Sequence, residues 1–140
     1  MNKERLLRLA DHLEHGKLGH DTFAFEVFSH GERKANGCGT AGCAIGECVV
    51  VFPESWFIHK AGTQYMPLLR ETDVTWLDVA ESLFDAAEFF DLDYNEAELL
   101  FIPCQPKVTR FGGGEELPHD ATPAQVAANI RAFVSWKEAR

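Results

Sequence analysis

Apolar residues recur at helical spacing behind capping residues at five places in the chain, and this repetition most restricts what it can fold into. Leu6, Leu9, Ala10 and Leu13 follow Asn2; Ala97, Leu100 and Phe101 follow Asp93-x-x-Glu96; Val126, Ile130, Phe133 and Val134 follow Thr122-Pro123-x-Gln125. In each case a side-chain oxygen stands where it can accept from the free N–H groups of a first helical turn. In the last two, Glu or Gln three residues on completes a capping box. Pro123 falls at the first helical position, where its missing N–H costs nothing. Amphipathic helices of this kind bury their stripes only against one another or against a sheet.

Two further helices are predicted. One begins at Thr75 as N-cap, with Asp78 three residues on and Trp76, Val79, Ala80, Leu83, Ala87 and Phe90 along its inner face. The other begins at Thr40, with Ala41, Ala44, Ile45, Cys48 and Phe52 inward and Pro53 as its stop; Gly46 and the run Val49-Val50-Val51 weigh against it. Phe23, Phe25 and Val27 alternate within 22–28 as in a short strand. The apolar runs on either side of Lys60-Ala61-Gly62-Thr63 suit a hairpin, with Pro67 at an edge. Residues 30–39 and the stretch from Cys104 to Pro118, with Gly112-Gly113-Gly114, read as loops. The expected fold is α+β and mainly α. It has four or five helices around one core, with a small hairpin or strand pair from residues 22–29 and 56–69, in a single domain spanning 1–140.

Charge is unevenly placed. The chain carries a net charge of -9, and between Glu71 and Leu100 there are ten acidic residues and no Lys or Arg. A surface of that sign repels phosphate backbones, which disfavours nucleic acid and anionic membranes; the run reads first as a solvated outer helix face, with docking of a basic protein partner through 71–100 as the alternative. The chain has no apolar run of about 18 residues to span a bilayer. Its first residues run straight into an amphipathic pattern without a signal-peptide core, so the expected location is the cytoplasm.

In that compartment the four cysteines are expected to be reduced. Cys38 and Cys43 lie in the turn Gly37-Cys38-Gly39-Thr40-Ala41-Gly42-Cys43, beside the predicted helix start, where N–H groups and the helix dipole would stabilise a thiolate. They form the candidate thiol site. With His30, His59 and Cys104 they are also the candidate ligands of a soft metal, zinc being the one considered; otherwise no cofactor is called for. The spacing Cys-x4-Cys is wider than the usual zinc half-site and no second pair exists, so close packing of small residues around buried thiols is the competing reading.

Other motifs fail on their details. His12 and His15 stand at i, i+3 rather than in a His-Glu-x-x-His pattern and read as surface histidines. Asp91-Leu92-Asp93-Tyr94-Asn95 lacks the glycine and the bidentate Glu of a calcium loop and reads as a turn between helices. The triple glycine lacks Gly-Lys-Ser/Thr, and no Gly-x-Ser-x-Gly elbow occurs.

Four pieces resemble an uncharacterised family of small bacterial and phage proteins: residues 6–14, Cys38-Gly39-Thr40-Ala41-Gly42-Cys43-Ala44-Ile45-Gly46, residues 96–103 and Thr122-Pro123-Ala124-Gln125-Val126-Ala127. The Cys-Gly-Thr-x-x-Cys piece is the distinctive one. The chain departs at Glu47, where such proteins often follow the glycine with Trp. The resemblance implies a compact, mainly helical domain and brings no activity, cofactor or catalytic residue with it. The leading functional expectation is a non-enzymatic binding or regulatory module engaging a protein partner. A metal-binding protein using Cys38 and Cys43 and a thiol-dependent enzyme or redox sensor are the alternatives.

Overall fold

The structure is a computed structural model that describes residues 1–16, 18, 22–23, 29–30, 41–42, 44–61, 64–77, 80–102 and 121–140. Among these residues the chain forms, in order, α1 (Lys3–His15), β1 (Thr22–Phe23), β2 (Ser29–His30), β3 (Ala41–Gly42), α2 (Ala44–Val51), β4 (Trp56–Ala61), β5 (Gln64–Leu69), α3 (Glu81–Phe89), α4 (Tyr94–Phe101) and α5 (Pro123–Glu138). The fold is α+β and mainly α, as the helical periodicity predicts. No helix of the described residues is long and apolar enough to cross a membrane.

Local grammar sets the helix ends wherever a cap is present. Asn2 accepts from the Arg5 N–H at 3.1 Å and opens α1. Asp93 with Glu96, and Thr122 with Gln125, make both hydrogen bonds of a capping box at the starts of α4 and α5. Helix α3 ends differently. Asp91 takes a left-handed φ of 54°, the Leu92 N–H reaches the Ala87 carbonyl at 2.8 Å and the Asp91 N–H the Glu88 carbonyl at 3.2 Å. This is the paired bonding of a Schellman turn, with Asp where glycine is usual.

Each predicted inner stripe is buried in α1, α4 and α5. Together with Ala44, Ile45, Cys48, Trp56, Leu83 and Phe90 they form one apolar cluster. Removing a fully buried residue such as Phe133 or Leu6 from such a cluster costs about 2–5 kcal/mol. The largest interhelical contact is between α1 and α5. Lys3 pairs with Glu138, while Arg131 pairs with Asp11 at 2.5 Å and Glu14 at 2.9 Å, so the two helices run antiparallel. The hydrogen bond to Asp11, more than any other contact, holds the Arg131 pKa above its ordinary value.

Several expectations are corrected. The cysteine-flanked helix does not begin at Thr40, because Ala41 and Gly42 are extended: β3 pairs in parallel with β1 and antiparallel with β2. Helix α2 starts at Ala44, so Ala41 is no part of its stripe, although Gly46 and the three valines are helical through Val51. The strand beginning at Thr22 therefore belongs to a three-stranded sheet of order β1-β3-β2, while 56–69 is a separate hairpin pairing Trp56 with Leu69 through Ala61 with Gln64. Nor does Thr75 cap a helix. Helix α3 starts at Glu81, and Trp76, placed inward by periodicity, is 88% exposed.

Candidate functional site

Trp76 stands beside a recess on the acidic side of the molecule. Asp85 is only 4% exposed despite its charge, and its Oδ2 accepts from the Leu69 N–H at 2.9 Å and from the Thr72 hydroxyl at 2.7 Å. These bonds tie the end of β5 to α3. Thr72 also donates its N–H to the Leu69 carbonyl at 3.0 Å, closing the turn. Asp73 then accepts from the Thr75 N–H at 2.9 Å, so the backbone reverses just before Trp76. That backbone bond, and secondly the Thr75 side chain, hold the Asp73 carboxyl below its ordinary value of 3.8.

The result is a groove of about 320 Å³ between the turn and α3. Glu71, Asp73, Glu81 and Glu88 line it, Asp85 lies at its base and Trp76 stands at its side; no Lys, Arg or His among the described residues lines it. Glu71 and Glu88 are exposed and make no ion pair with a described residue. Chemically the groove offers the carboxylates of Glu71 and Glu88, neither ion-paired among the described residues, beside an indole face, a combination suited to a cation.

The acidic residues thus divide by role rather than forming one outer face. Asp85 is consumed by the fold, and Asp93 and Glu96 cap α4, with Glu96 also pairing with Lys137. Asp78 lies outside the described residues.

A second buried carboxylate was not anticipated. Glu47 in the first turn of α2 is fully buried, and its Oε1 lies 2.8 Å from Nε2 of His12. As a carboxylate Glu47 can only accept, so the His12 ring N–H donates. His12 is therefore no surface histidine: its side chain is 13% exposed, against 75% for His15. Gly16 closes over it, since a Cβ there would sit 2.6 Å from both Nδ1 and the carbonyl oxygen of His12.

Cys38, Cys43 and Cys104 lie outside the described residues. His30 falls in β2, and His59 is half-buried on β4 with its ring centroid 6.1 Å from that of Phe57. Cys48 is a buried thiol whose Sγ sits 3.7 Å from the Ala44 carbonyl, one helical turn back. No group of three His, Cys, Asp or Glu suited to a metal occurs among the described residues. Three buried polar atoms, Trp56 Nε1, Ser82 Oγ and Asn129 Nδ2, have no hydrogen-bond partner among the described residues.

No protein-family model, no curated protein and no solved structure matches this chain.

Proposed function

We propose that this protein is a non-enzymatic binding module that docks a basic segment of a protein partner into the groove between the 70–77 turn and α3. One observation carries the reading: Trp76 is 88% exposed beside a recess lined by carboxylates and, among the described residues, by no basic side chain. A large apolar side chain left in water is unfavourable, and exposed aromatics concentrate where proteins bind. Indole is also the best ring for a Lys or Arg cation, worth about 0.5–2 kcal/mol per contact depending on how far the pair is desolvated.

The electrostatics favour the same occupant. Glu71 and Glu88 would attract Lys and Arg from solution and raise the association rate, an effect screened by salt. Nucleic acid and anionic lipid are excluded as partners of this face by the sign of its charge. We place the protein in solution in the cytoplasm, none of its described helices being long and apolar enough to cross a membrane. Calorimetric titration with a short Lys- and Arg-rich peptide tests the proposal. Saturable binding that weakens at least about tenfold between low salt and about 0.5 M salt is expected; an acidic peptide binding as well as the basic one sinks it.

A further inference from the structure

Across α3 from the acidic groove, the start of α1 carries a second cleft of about 350 Å³ with a different lining. Arg5 and Arg8 stand one turn apart and both reach into it. Each guanidinium lies over an aromatic ring: Arg5 over Phe89 at 4.1 Å from the centroid, Arg8 over Phe52 at 5.0 Å. The two rings are themselves packed edge to face, 4.8 Å between centroids, so the aromatic floor is fixed. Arg5 is further held by donating from Nη1 to the Phe89 carbonyl at 2.8 Å.

Arg8 is the informative residue. Glu4 precedes it by four positions, the favourable order for an ion pair along a helix. No such pair forms, and Arg8 makes no hydrogen bond or ion pair with any described residue. With its guanidinium over Phe52, Arg8 keeps its N–H donors unbonded among the described residues, and a planar fork of that kind can grip a carboxylate in two places. Glu4 and Glu54 line the same cleft, equally without an ion pair among the described residues, and the Ser55 hydroxyl adds a small polar group.

We infer that this cleft binds a small zwitterion of the α-amino acid type, its carboxylate on the Arg8 and Arg5 guanidiniums and its ammonium on Glu54 and Glu4. Charge balance selects that class. Two arginines and two glutamates leave the lining neutral, so a phosphate would face two carboxylates and a simple amine two guanidiniums. A zwitterion answers both pairs at once. The volume lies at the lower end of the range that holds small ligands.

The test is a two-dimensional NMR titration of the full chain, following the arginine Nε–Hε signals. The probes are each of the common L-amino acids, with acetate, methylammonium and inorganic phosphate as controls. The expected result is saturation of the Arg8 signal by at least one amino acid with a Kd of about 1 mM or tighter, and at least about tenfold weaker binding of all three controls. Arg8→Lys, which keeps the charge and loses the fork, and Glu54→Gln should each weaken that amino acid at least about tenfold. Trp76→Ala should leave it unchanged. Arg8, Glu54 and Trp76 are all exposed, so the variants fold. The inference is overturned if no amino acid saturates by about 10 mM, if phosphate or acetate binds as tightly, if Arg8→Lys binds normally, or if Trp76→Ala abolishes the effect.

Discussion

The two clefts beside α3 are built from neighbouring residues and use charge in opposite ways. Glu88 faces the acidic groove, where carboxylates gather beside an unburied indole and no basic side chain of the described residues lines the recess. Phe89, the next residue, floors the other cleft, where cations are laid on rings and carboxylates balance them. Successive residues on a helix point about 100° apart, so one short helix can serve both. The net charge of -9 therefore describes neither cleft. What each can bind depends on which charges the fold has already consumed.

Asp85 has the largest expected effect on the acidic groove, because it shapes that groove without being available to a ligand. Replacing it with Ala strands the buried Leu69 N–H and frees the Thr72 hydroxyl, and should cost about 2–4 kcal/mol in chemical denaturation. Next in size, Arg5→Ala should cost about 1.5–2 kcal/mol through its lost bond to the Phe89 carbonyl and its ring contact, while Arg8→Ala should cost under about 1 kcal/mol. Equal losses would mean that both arginines are structural and would erase the contrast between them.

Smaller still in stability, Glu71→Lys with Glu88→Lys should stay within about 0.5 kcal/mol of the parent and yet weaken a basic peptide at least about tenfold. The acid side of the groove supplies a finer check. The Asp73 pKa is depressed in the folded chain, so its contribution to the turn is complete above its ordinary value of 3.8 and is lost only as pH falls through the lower folded value. Carbon NMR of its carboxyl should show protonation below 3.8 in the parent and at a higher pH in Thr75→Pro, which removes the donating N–H.

Helix identity was legible wherever the deciding contacts are local. Asn2, Asp93 with Glu96 and Thr122 with Gln125 complete their hydrogen bonds within three residues, so the pattern alone places those helices and their buried stripes. Thr75 and Thr40 carry the same local signal and fail for tertiary reasons. Asp85 draws the segment after β5 into a turn from 13 and 16 residues away, and β1 and β2 pair Ala41 and Gly42 into a sheet. The His12–Glu47 pair spans 35 positions and has no periodic signature. Of the groove, the acidic run was readable from 71 to 100, but not which carboxylates the fold consumes, nor that Trp76 faces water. The thiol and metal ligands proposed at Cys38, Cys43 and Cys104 lie outside the described residues.

Tryptophan fluorescence tests the docking groove most directly. Trp56 is fully buried and Trp76 is 88% exposed, so a peptide seated in the groove changes the environment of Trp76 first. Titrating the parent with a Lys- and Arg-rich peptide should shift the emission maximum to the blue in a saturable way. The same titration of Trp76→Phe should show no shift and binding weakened by about 1 kcal/mol or less, the difference between the rings as cation partners. A shift of the same size in Trp76→Phe, or none in the parent at saturating peptide, would contradict docking beside Trp76.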